Sequence, residues 1–438
     1  MTRPLALTRR AALNAAASTG LMVTFLGRAA YAAVDRDLAR RKLVVFICRG
    51  AMDGLSVSPP IGDPDYVPLR GEIAIPGFGQ PDGALRLDDT FGLHPRLTAI
   101  HALALKGQAR IAPAVATPDR ARSHFEAQDV LESGAGAVFG TSSGWLNRAM
   151  QAMAPTQRIE ALSVGAQAPL ILRGKIQAAS WSPGGYKDRD ARLPGILTDL
   201  YAGDPVLSQA LASGLSTEAM AKIATAPDPA MAPAAQAVTG APTAGAMAPN
   251  APYAQVAQQA QRQIQRNAAA TARKLGVTLA KFMTEPNGPQ IAAVSLDGFD
   301  THANQGASEG QLAGRLSYLD AAIDGLSTGL GAEWSNTVVL VATEFGRTAH
   351  INGAKGTDHG TGSTALLLGG GLKRGGIVGD WPTLAPTRLF ENRDTAPATD
   401  MRSLFKGVLA EQLGVDRRAL DTTVFPDSTV APPLAGLV

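Results

Sequence analysis

The sequence predicts an α/β fold with a largely parallel central sheet that has helices on both faces. Six short apolar runs recur along the chain, as buried strands do, at 43–48, 109–116, 159–164, 291–296, 337–342 and 364–368. Segments with helical character lie between several of them, including 123–131, 305–326 and 403–413. Short buried strands that alternate with helices are typical of a parallel sheet covered on both faces.

The N-terminus predicts export. Segment 8–13 (TRRAAL) precedes an apolar stretch that ends at Leu26, and segment 30–32 (AYA) has the small residues of a cleavage site. This pattern is typical of a twin-arginine signal peptide over residues 1–32. A membrane anchor is disfavoured because the stretch is shorter than the roughly 20 apolar residues of a spanning helix. We therefore expect the twin-arginine translocation machinery as a partner, a periplasmic or extracellular location, and no stable membrane span after cleavage.

The net charge depends strongly on this signal. Cleavage after Ala32 removes four arginines and no acidic residue, so the formal charge of +3 becomes −1. Nucleic-acid binding thereby loses its main support, and no nucleic-acid partner is expected.

The remaining residues, 33–438, are predicted to form a single domain because no Pro-Gly linker occurs before residue 225. Within this domain, residues 226–252 are almost entirely Ala, Pro, Gly, Thr and Met, a composition that predicts a surface excursion without a packed core. The following segment, 253–282, has the pattern of a long amphipathic helix. The single cysteine, Cys48, lies in the first apolar run, so we expect a core thiol and no intramolecular disulfide.

Four of the six histidines lie in polar motifs that also contain carboxylates and glycines. These motifs are 122–126 (RSHFE), 297–305 (DGFDTHANQ), and 343–350 (TEFGRTAH) running on to 356–360 (GTDHG). Imidazole and carboxylate are common protein ligands for zinc and manganese, and several of these segments directly follow apolar runs. The sequence therefore predicts a chemical site at the carboxyl ends of the strands.

Asp53 and Ser123 each have a functional and a structural interpretation. Asp53 lies between two glycines after the first run, so it either projects a carboxylate into the site or only stabilises the turn through an Asx-type hydrogen bond. Ser123 stands three residues before Glu126, the spacing of a capping box. Its alternative role is a hydroxyl at a helix N-terminus, which suits a nucleophile or an anion-binding group.

The motifs after the apolar runs 291–296 and 337–342 supply further candidates. Two carboxylates, an imidazole and an amide within 297–305 exceed what a turn requires and indicate a metal or substrate site. Glu344 is predicted either to bind metal or to hold Arg347, whose guanidinium suits two-point contact with an anionic group.

Together these motifs resemble the bacterial family called domain of unknown function 1501 (DUF1501). That family looks like a branch of the alkaline phosphatase and sulfatase superfamily, which implies a large central sheet between helices with metals at the strands' carboxyl ends. The resemblance implies metal-ligand roles for Asp53, for His359, and for Asp297 or Asp300 paired with His302. It places Ser123 in the region of the superfamily's nucleophile.

One position departs from the superfamily pattern. Glu344-Phe345 stands where the superfamily has an adjacent Asp-His pair, so an imidazole ligand is missing and either a single metal or none is expected. A sulfatase of the formylglycine type is disfavoured, because Cys48 is not followed by the required Cys-x-Pro-x-Arg pattern.

Two functional hypotheses follow. The first is a hydrolase of phosphate or sulfate esters that depends on zinc, manganese, calcium or magnesium, acts on a small anionic ester, and uses Ser123 and Arg347 in catalysis. Its metal ligands would come from Asp53, Asp297, Asp300, His302, Glu344 and His359. The second is a non-catalytic exported protein that keeps the fold as a binding or assembly module. Convergence of the candidate ligands favours the hydrolase, whereas Glu344 paired with Arg347 favours the module.

Overall fold

The computed structural model describes residues 38, 40–153, 161–164, 169–181, 253–286 and 288–438, with residues 253–266 described by their backbone. The predicted signal peptide, 1–32, and the predicted surface excursion, 226–252, lie outside the described residues. In the described ranges, none of the helices combines the length and the apolar character that crossing a membrane requires.

The strands are short and mostly buried. They are β1 (Lys42–Cys48), β2 (Leu85–Arg86), β3 (Gly92–Leu93), β4 (Ala109–Ala116), β5 (Ala161–Val164), β6 (Ala179–Trp181), β7 (Ile291–Leu296), β8 (Thr337–Ala342), β9 (Ser363–Leu368), β10 (Gly376–Ile377) and β11 (Thr399–Asp400). In the described chain, β2 and β3 form a separate hairpin, and the other strands form one sheet in the order β10-β4-β9-β8-β1-β7-β5-β6, with β11 beside β4.

Helices cover the sheet. They are α1 (Gly54–Val57), α2 (Tyr66–Arg70), α3 (Thr98–Leu105), α4 (His124–Ser133), α5 (Trp145–Met153), α6 (Tyr253–Thr284), α7 (Gln311–Leu330), α8 (Met401–Leu413) and the short turn α9 (Arg417–Ala419). Short 3-10 helices lie at Gly71–Ile73, Leu170–Leu172, Gly331–Asn336 and Pro386–Arg388, and a short π-helix lies at Leu420–Val424. The helix predicted at 253–282 is confirmed as α6.

The centre of the sheet is parallel. β1 pairs in parallel with β7 and with β8, so that Cys48 lies opposite Leu296 and Ile47 lies opposite Ala342. β9 runs antiparallel to both β4 and β8, which leaves β4 and β8 pointing the same way. The prediction of a largely parallel sheet is therefore confirmed. β9, which lies between β4 and β8, is antiparallel to both of its neighbours.

The two faces of β1 are buried against different helices. Leu43, Val45 and Ile47 belong to a core with Trp145 of α5 and Phe405 of α8. The alternate side chains, Val44, Phe46 and Cys48, belong to a second core with residues of α3, α6 and α7. Because successive side chains of a strand point to opposite faces, this arrangement requires an apolar residue at every position. It explains why buried strands appear in the sequence as continuous apolar runs, and it confirms helices on both faces.

Cys48 lies within the second of these cores. Its side chain is completely buried and is a free thiol. Burial, together with the nearby Glu344 carboxylate, raises the pKa of this thiol. The prediction of a core thiol is confirmed, because a group of this kind is inert at neutral pH.

One edge of the sheet collects the loops that carry the polar motifs. β1, β4, β7 and β8 end at this edge, and the antiparallel β9 begins there. The loops approach closely: a Cβ on Gly50, whose φ is +111°, would lie 2.5 Å from the Asp300 backbone nitrogen. Only glycine fits such a contact at a positive φ.

Asp320 of α7 joins that helix to α3, away from this edge. Its carboxylate accepts hydrogen bonds from the backbone N–H groups of Ala99 (3.0 Å) and Ile100 (2.9 Å). Asp320→Asn should lower the free energy of unfolding by about 1–3 kcal/mol, because an amide leaves a buried donor without an acceptor. Urea denaturation measures this, with Asp324→Asn on the same helix as the more exposed control. An unchanged midpoint in Asp320→Asn would contradict the expectation.

Candidate metal centre

Polar side chains from three loops meet at the edge where these strands end. His124 is the first residue of α4, after β4, and Asp300 and His302 follow β7. Glu344 and Arg347 follow β8, and His359 precedes β9. The predicted site at the strand ends is thus built from segments that are far apart in sequence but adjacent in the sheet.

Three imidazoles surround the Asp300 carboxylate. The Nε2 atoms of His302 and His359 lie 3.0 and 3.5 Å from Asp300 Oδ1, and His124 Nε2 lies 3.4 Å from Oδ2. The Nε2 atoms of His302 and His359 are 3.0 Å apart. The ligand atoms of His124, Asp300 and His359 all lie within 4.8 Å of one another. These three residues therefore form a compact set, and His302 Nε2 lies beside Asp300 and His359 at its edge.

The other ring nitrogens fix which tautomer each imidazole adopts. Every Nδ1 faces an oxygen acceptor: Glu344 Oε1 at 2.8 Å from His124, the Arg122 carbonyl at 2.9 Å from His359, and Asp358 Oδ1 at 3.4 Å from His302. An imidazole nitrogen beside such an acceptor carries the proton, so in the neutral ring the lone pair is on Nε2. In that tautomer the three Nε2 atoms, which all face Asp300, are free to bind a cation, as in ligating histidines that an outer oxygen orients.

This donor set fits a divalent cation. With metal–ligand bonds of about 2.0–2.1 Å, two ligands of a tetrahedral site lie about 3.3 Å apart. Each Nε2 atom lies 3.0–3.5 Å from an Asp300 oxygen, and the Nε2 atoms of His302 and His359 are 3.0 Å apart, which matches that spacing. His124 Nε2 is also buried and has no hydrogen-bond partner. An imidazole lone pair left without a partner is a cost that a bound cation would remove.

Arg347 holds the central carboxylate. Its Nη1 donates to Asp300 Oδ1 at 2.8 Å, and its Nε donates to Thr357 Oγ1 at 3.2 Å. Burial alone would raise the pKa of Asp300, but the positive Arg347 and the neighbouring imidazoles lower it below its usual range. Arg347 is 1% exposed, so these contacts make it an anchor for Asp300. Its predicted contact with a substrate anion stays a prediction.

Glu344 stands behind His124. It is fully buried, and Oε1 accepts hydrogen bonds from Gly50 N at 2.8 Å and Gln128 Nε2 at 3.2 Å as well as from His124. Burial acts to raise the pKa of Glu344, but the bonds from His124, from backbone N–H groups and from Gln128 lower it overall. The structure thus gives Glu344 the contacts of a residue that orients an imidazole, and it is not paired with Arg347.

The two half-buried imidazoles, His124 and His359, differ in their proton affinity. The hydrogen bond to Glu344 raises the pKa of His124 against the opposing effect of burial. Burial lowers the pKa of His359, and the charge of a protonated His124 lowers it further. His359 is therefore the more readily available as a neutral ligand at pH 7.

Asp53 is engaged elsewhere. Its carboxylate is 1% exposed, forms an ion pair with the fully buried Arg70, and accepts from Gln305 Nε2 at 2.7 Å and Ser56 Oγ at 2.9 Å. It also accepts from Leu55 N at 3.2 Å as the N-cap of α1, which is the contact of the turn interpretation. Asp53 is not among the described residues whose ligand atoms converge on Asp300, and its metal-ligand role stays a prediction.

Asp297 and Ser123 lie at the margin of the cluster. Asp297 is exposed and lines a surface cavity with Arg315 and Tyr318. Ser123 occupies the N-cap position of α4, but its side chain makes no capping hydrogen bond. The predicted capping box is therefore wrong, because the serine hydroxyl does not reach the first-turn N–H groups. The proposed nucleophile role of Ser123 is not decided by this geometry.

Sequence reasoning missed His124 and Arg70. His124 lies within the motif 122–126, and the scarcity of histidine, with six in the sequence, indicates that this residue is a candidate ligand. It was overlooked because the neighbouring Ser123 and Glu126 offered a helix-cap explanation. Arg70 belongs to no motif, so its pairing with Asp53 was visible only in three dimensions.

The fold and this geometry define an α/β protein with a candidate divalent-metal centre of three histidines and one aspartate at its strand ends. The chain belongs to the family described as "Protein of unknown function (DUF1501)", whose model matches residues 84–424. The family predicted from the motifs is confirmed, and the match includes every residue of the cluster around Asp300.

The comparison with solved structures found distant similarities. The structure of Ps i-CgsB in complex with k-i-k-neocarrahexaose is similar to this chain with 11% sequence identity. The match covers 90% of this chain and 77% of that chain, with a TM-score of 0.39. The lipoteichoic acid synthase LtaP from Listeria monocytogenes has 8% sequence identity, with 88% of this chain and 76% of that chain covered and a TM-score of 0.35. The C-terminal periplasmic domain of EcEptC from Escherichia coli, in a complex with Zn, has 10% sequence identity. The match covers 75% of this chain and 72% of that chain, with a TM-score of 0.31.

These TM-scores are below 0.5, so the similarities assign no residue and no activity to this chain. No curated protein matches the chain.

The contact between His124 and Glu344 can be tested in metal-free protein. Glu344→Gln should lower the pKa of His124, because the carboxylate that stabilises the imidazolium is gone. An NMR titration of the imidazole C–H signals measures this shift. His94, whose pKa burial lowers to about 4, is the internal control because its ring contacts Ala307 and Arg96 instead. An unchanged His124 titration would show that Glu344 does not act on this ring.

Proposed function

We propose that this chain is a hydrolase of phosphate or sulfate esters that uses one divalent metal, held by His124, His302, His359 and Asp300. The observation that carries the proposal is the convergence of three Nε2 atoms on one carboxylate. Three imidazoles and a carboxylate suit zinc or manganese better than calcium or magnesium, which prefer oxygen ligands. A metal bound there would polarise an ester oxygen as a Lewis acid.

The charges around the site support a single metal. Two of its carboxylates are each paired with a buried arginine, Asp53 with Arg70 and Asp300 with Arg347. Because Arg70 already neutralises Asp53, that carboxylate has no unpaired charge to attract a second cation.

Ester hydrolysis is the reaction we infer because of what surrounds this centre. Arg347, buried beside Asp300, and a divalent cation bound there would each attract an anionic substrate. Ser123 is half-buried, directly precedes His124, and keeps its hydroxyl free of a capping bond at the N-terminus of the ten-residue helix α4. A serine at this place would attack the phosphorus or sulfur atom and expel the ester's alcohol, which takes up the serine proton, while helix N–H groups stabilise the negative charge. Water would then cleave the serine ester and release phosphate or sulfate. The phosphate or sulfate class itself comes from the superfamily resemblance.

We also infer that the protein acts outside the cytoplasm, after export by the twin-arginine translocation machinery. The support is the twin-arginine pattern at 8–13 and the cleavage pattern at 30–32. This route carries folded proteins, so the metal can be acquired before export.

Metal content is the first test. The mature protein, purified without chelator, should contain about one zinc or manganese ion per chain. His124→Ala, His302→Ala and His359→Ala should each remove most of this metal while the circular dichroism spectrum is retained. His350→Ala is the matched control, since His350 is an exposed histidine of the same motif region outside the cluster.

Asp297→Asn separates the two candidate aspartates. Retention of metal in this variant and its loss in Asp300→Asn would assign the ligand to Asp300. A metal-free, well-folded wild-type protein would contradict the hydrolase proposal and would favour the binding or assembly module.

Turnover tests Ser123. Ser123→Ala should lower the hydrolysis of aryl phosphate or aryl sulfate esters by orders of magnitude if its hydroxyl is the nucleophile. Its thermal stability should change by less than about 0.5 kcal/mol, because the side chain makes no capping bond. Ser335→Ala, an exposed serine before β8, is the control for a surface hydroxyl. Full activity in Ser123→Ala would remove this serine from the reaction.

A further inference from the structure

The residue before Ser123 adopts an unusual backbone conformation. Arg122 has a φ of +57°, in the left-handed region that side chains other than glycine, asparagine and aspartate rarely enter. The carbonyl of this residue lies 2.9 Å from His359 Nδ1. The conformation at Arg122 therefore aims the acceptor that fixes the tautomer of His359, and the next residues lead directly into His124.

The side chain of Arg122 is anchored at the same time. Its Nε donates to Asp394 Oδ2 at 2.9 Å, and its Nη2 lies 2.8 Å from the same oxygen. Nη2 also donates to Glu391 Oε2 at 2.6 Å. The Asp394 side chain is completely buried, whereas that of Glu391 is 56% exposed. An exposed partner contributes little, so Asp394 is the anchor.

Asp394 also contacts the segment that carries His359. Its Oδ2 accepts from Thr361 Oγ1 at 2.9 Å, two residues after His359. The adjacent Arg393 donates from Nη2 to the His359 carbonyl at 2.6 Å. One buried carboxylate thus joins the loop before α4 to the loop before β9, and each of these loops supplies one imidazole to the cluster.

We propose that Arg122 and Asp394 are positioning residues of the metal centre. Their buried ion pair holds the left-handed turn at Arg122, which directs its carbonyl to His359 and sets the approach of His124. The inference rests on the proposed metal site. Neither residue contacts the converging ligand atoms, so both act through the orientation of the two imidazoles.

The experiment compares zinc affinity with stability in the full mature chain. The variants are Asp394→Asn, Arg122→Ala and the double variant, with Glu391→Gln for the exposed partner and Asp320→Asn for a buried carboxylate far from the cluster. Zinc dissociation constants come from chelator competition, thermal midpoints from the metal-free proteins, and ligand geometry from the visible spectrum of the cobalt(II) forms.

Asp394→Asn and Arg122→Ala should each weaken zinc binding about 10–100-fold and alter the cobalt(II) spectrum, as loss of an orienting partner does. The double variant should bind no more weakly than the weaker single variant, because the two residues form one unit. Glu391→Gln should change affinity less than about threefold. Asp320→Asn should lose stability with its zinc affinity and cobalt(II) spectrum retained.

Two results would overturn the inference in distinguishable ways. Zinc affinity in Asp394→Asn and Arg122→Ala equal to that of Asp320→Asn would reject the positioning role and leave the proposed function standing. Absence of zinc binding by the wild-type protein would reject the proposed function and the inference with it. If Asp394→Asn does not fold, Arg122→Ala decides the question, because its side chain is partly exposed and its removal leaves no large cavity.

Discussion

The negative charge of Asp300 is the centre around which this edge of the protein is arranged. Three imidazole nitrogens lie 3.0–3.5 Å from its oxygens, and Arg347 donates to it from below the surface. Without the carboxylate, the buried guanidinium of Arg347 would lose its anionic partner. The loop after β7, the loop between β8 and β9, and the loop before α4 therefore meet at this one residue.

The orientation of the imidazoles comes from two carboxylates and one backbone carbonyl. Glu344 serves His124 from the end of β8, Asp358 serves His302 from the loop before β9, and the Arg122 carbonyl serves His359. Because each acceptor belongs to a different segment from its imidazole, the tautomers are set by tertiary packing. Loss of one acceptor consequently alters the orientation of an imidazole on another segment without removing that imidazole.

Sequence reasoning recovered the frame of this molecule more fully than its site. The runs 109–116, 291–296 and 337–342 coincide with β4, β7 and β8, because a strand buried on both faces needs an apolar residue at every position. The helical segment predicted from Gln305 begins six residues before the observed start of α7 at Gln311. Gln305 hydrogen-bonds to Asp53, and Gly306 and Gly310, with φ of +80° and +124°, carry the chain through a turn before the helix begins at Gln311.

The site was only partly predictable because its chemistry depends on pairings between distant segments. Asp300, His302 and His359 could be found from their motifs, since strand ends in a parallel sheet meet at one edge. The ion pair between Asp53 and Arg70 could not be predicted, because nothing in the local sequence of either residue indicates the other. That pairing balances Asp53 without a cation, and the three imidazoles lie instead around Asp300.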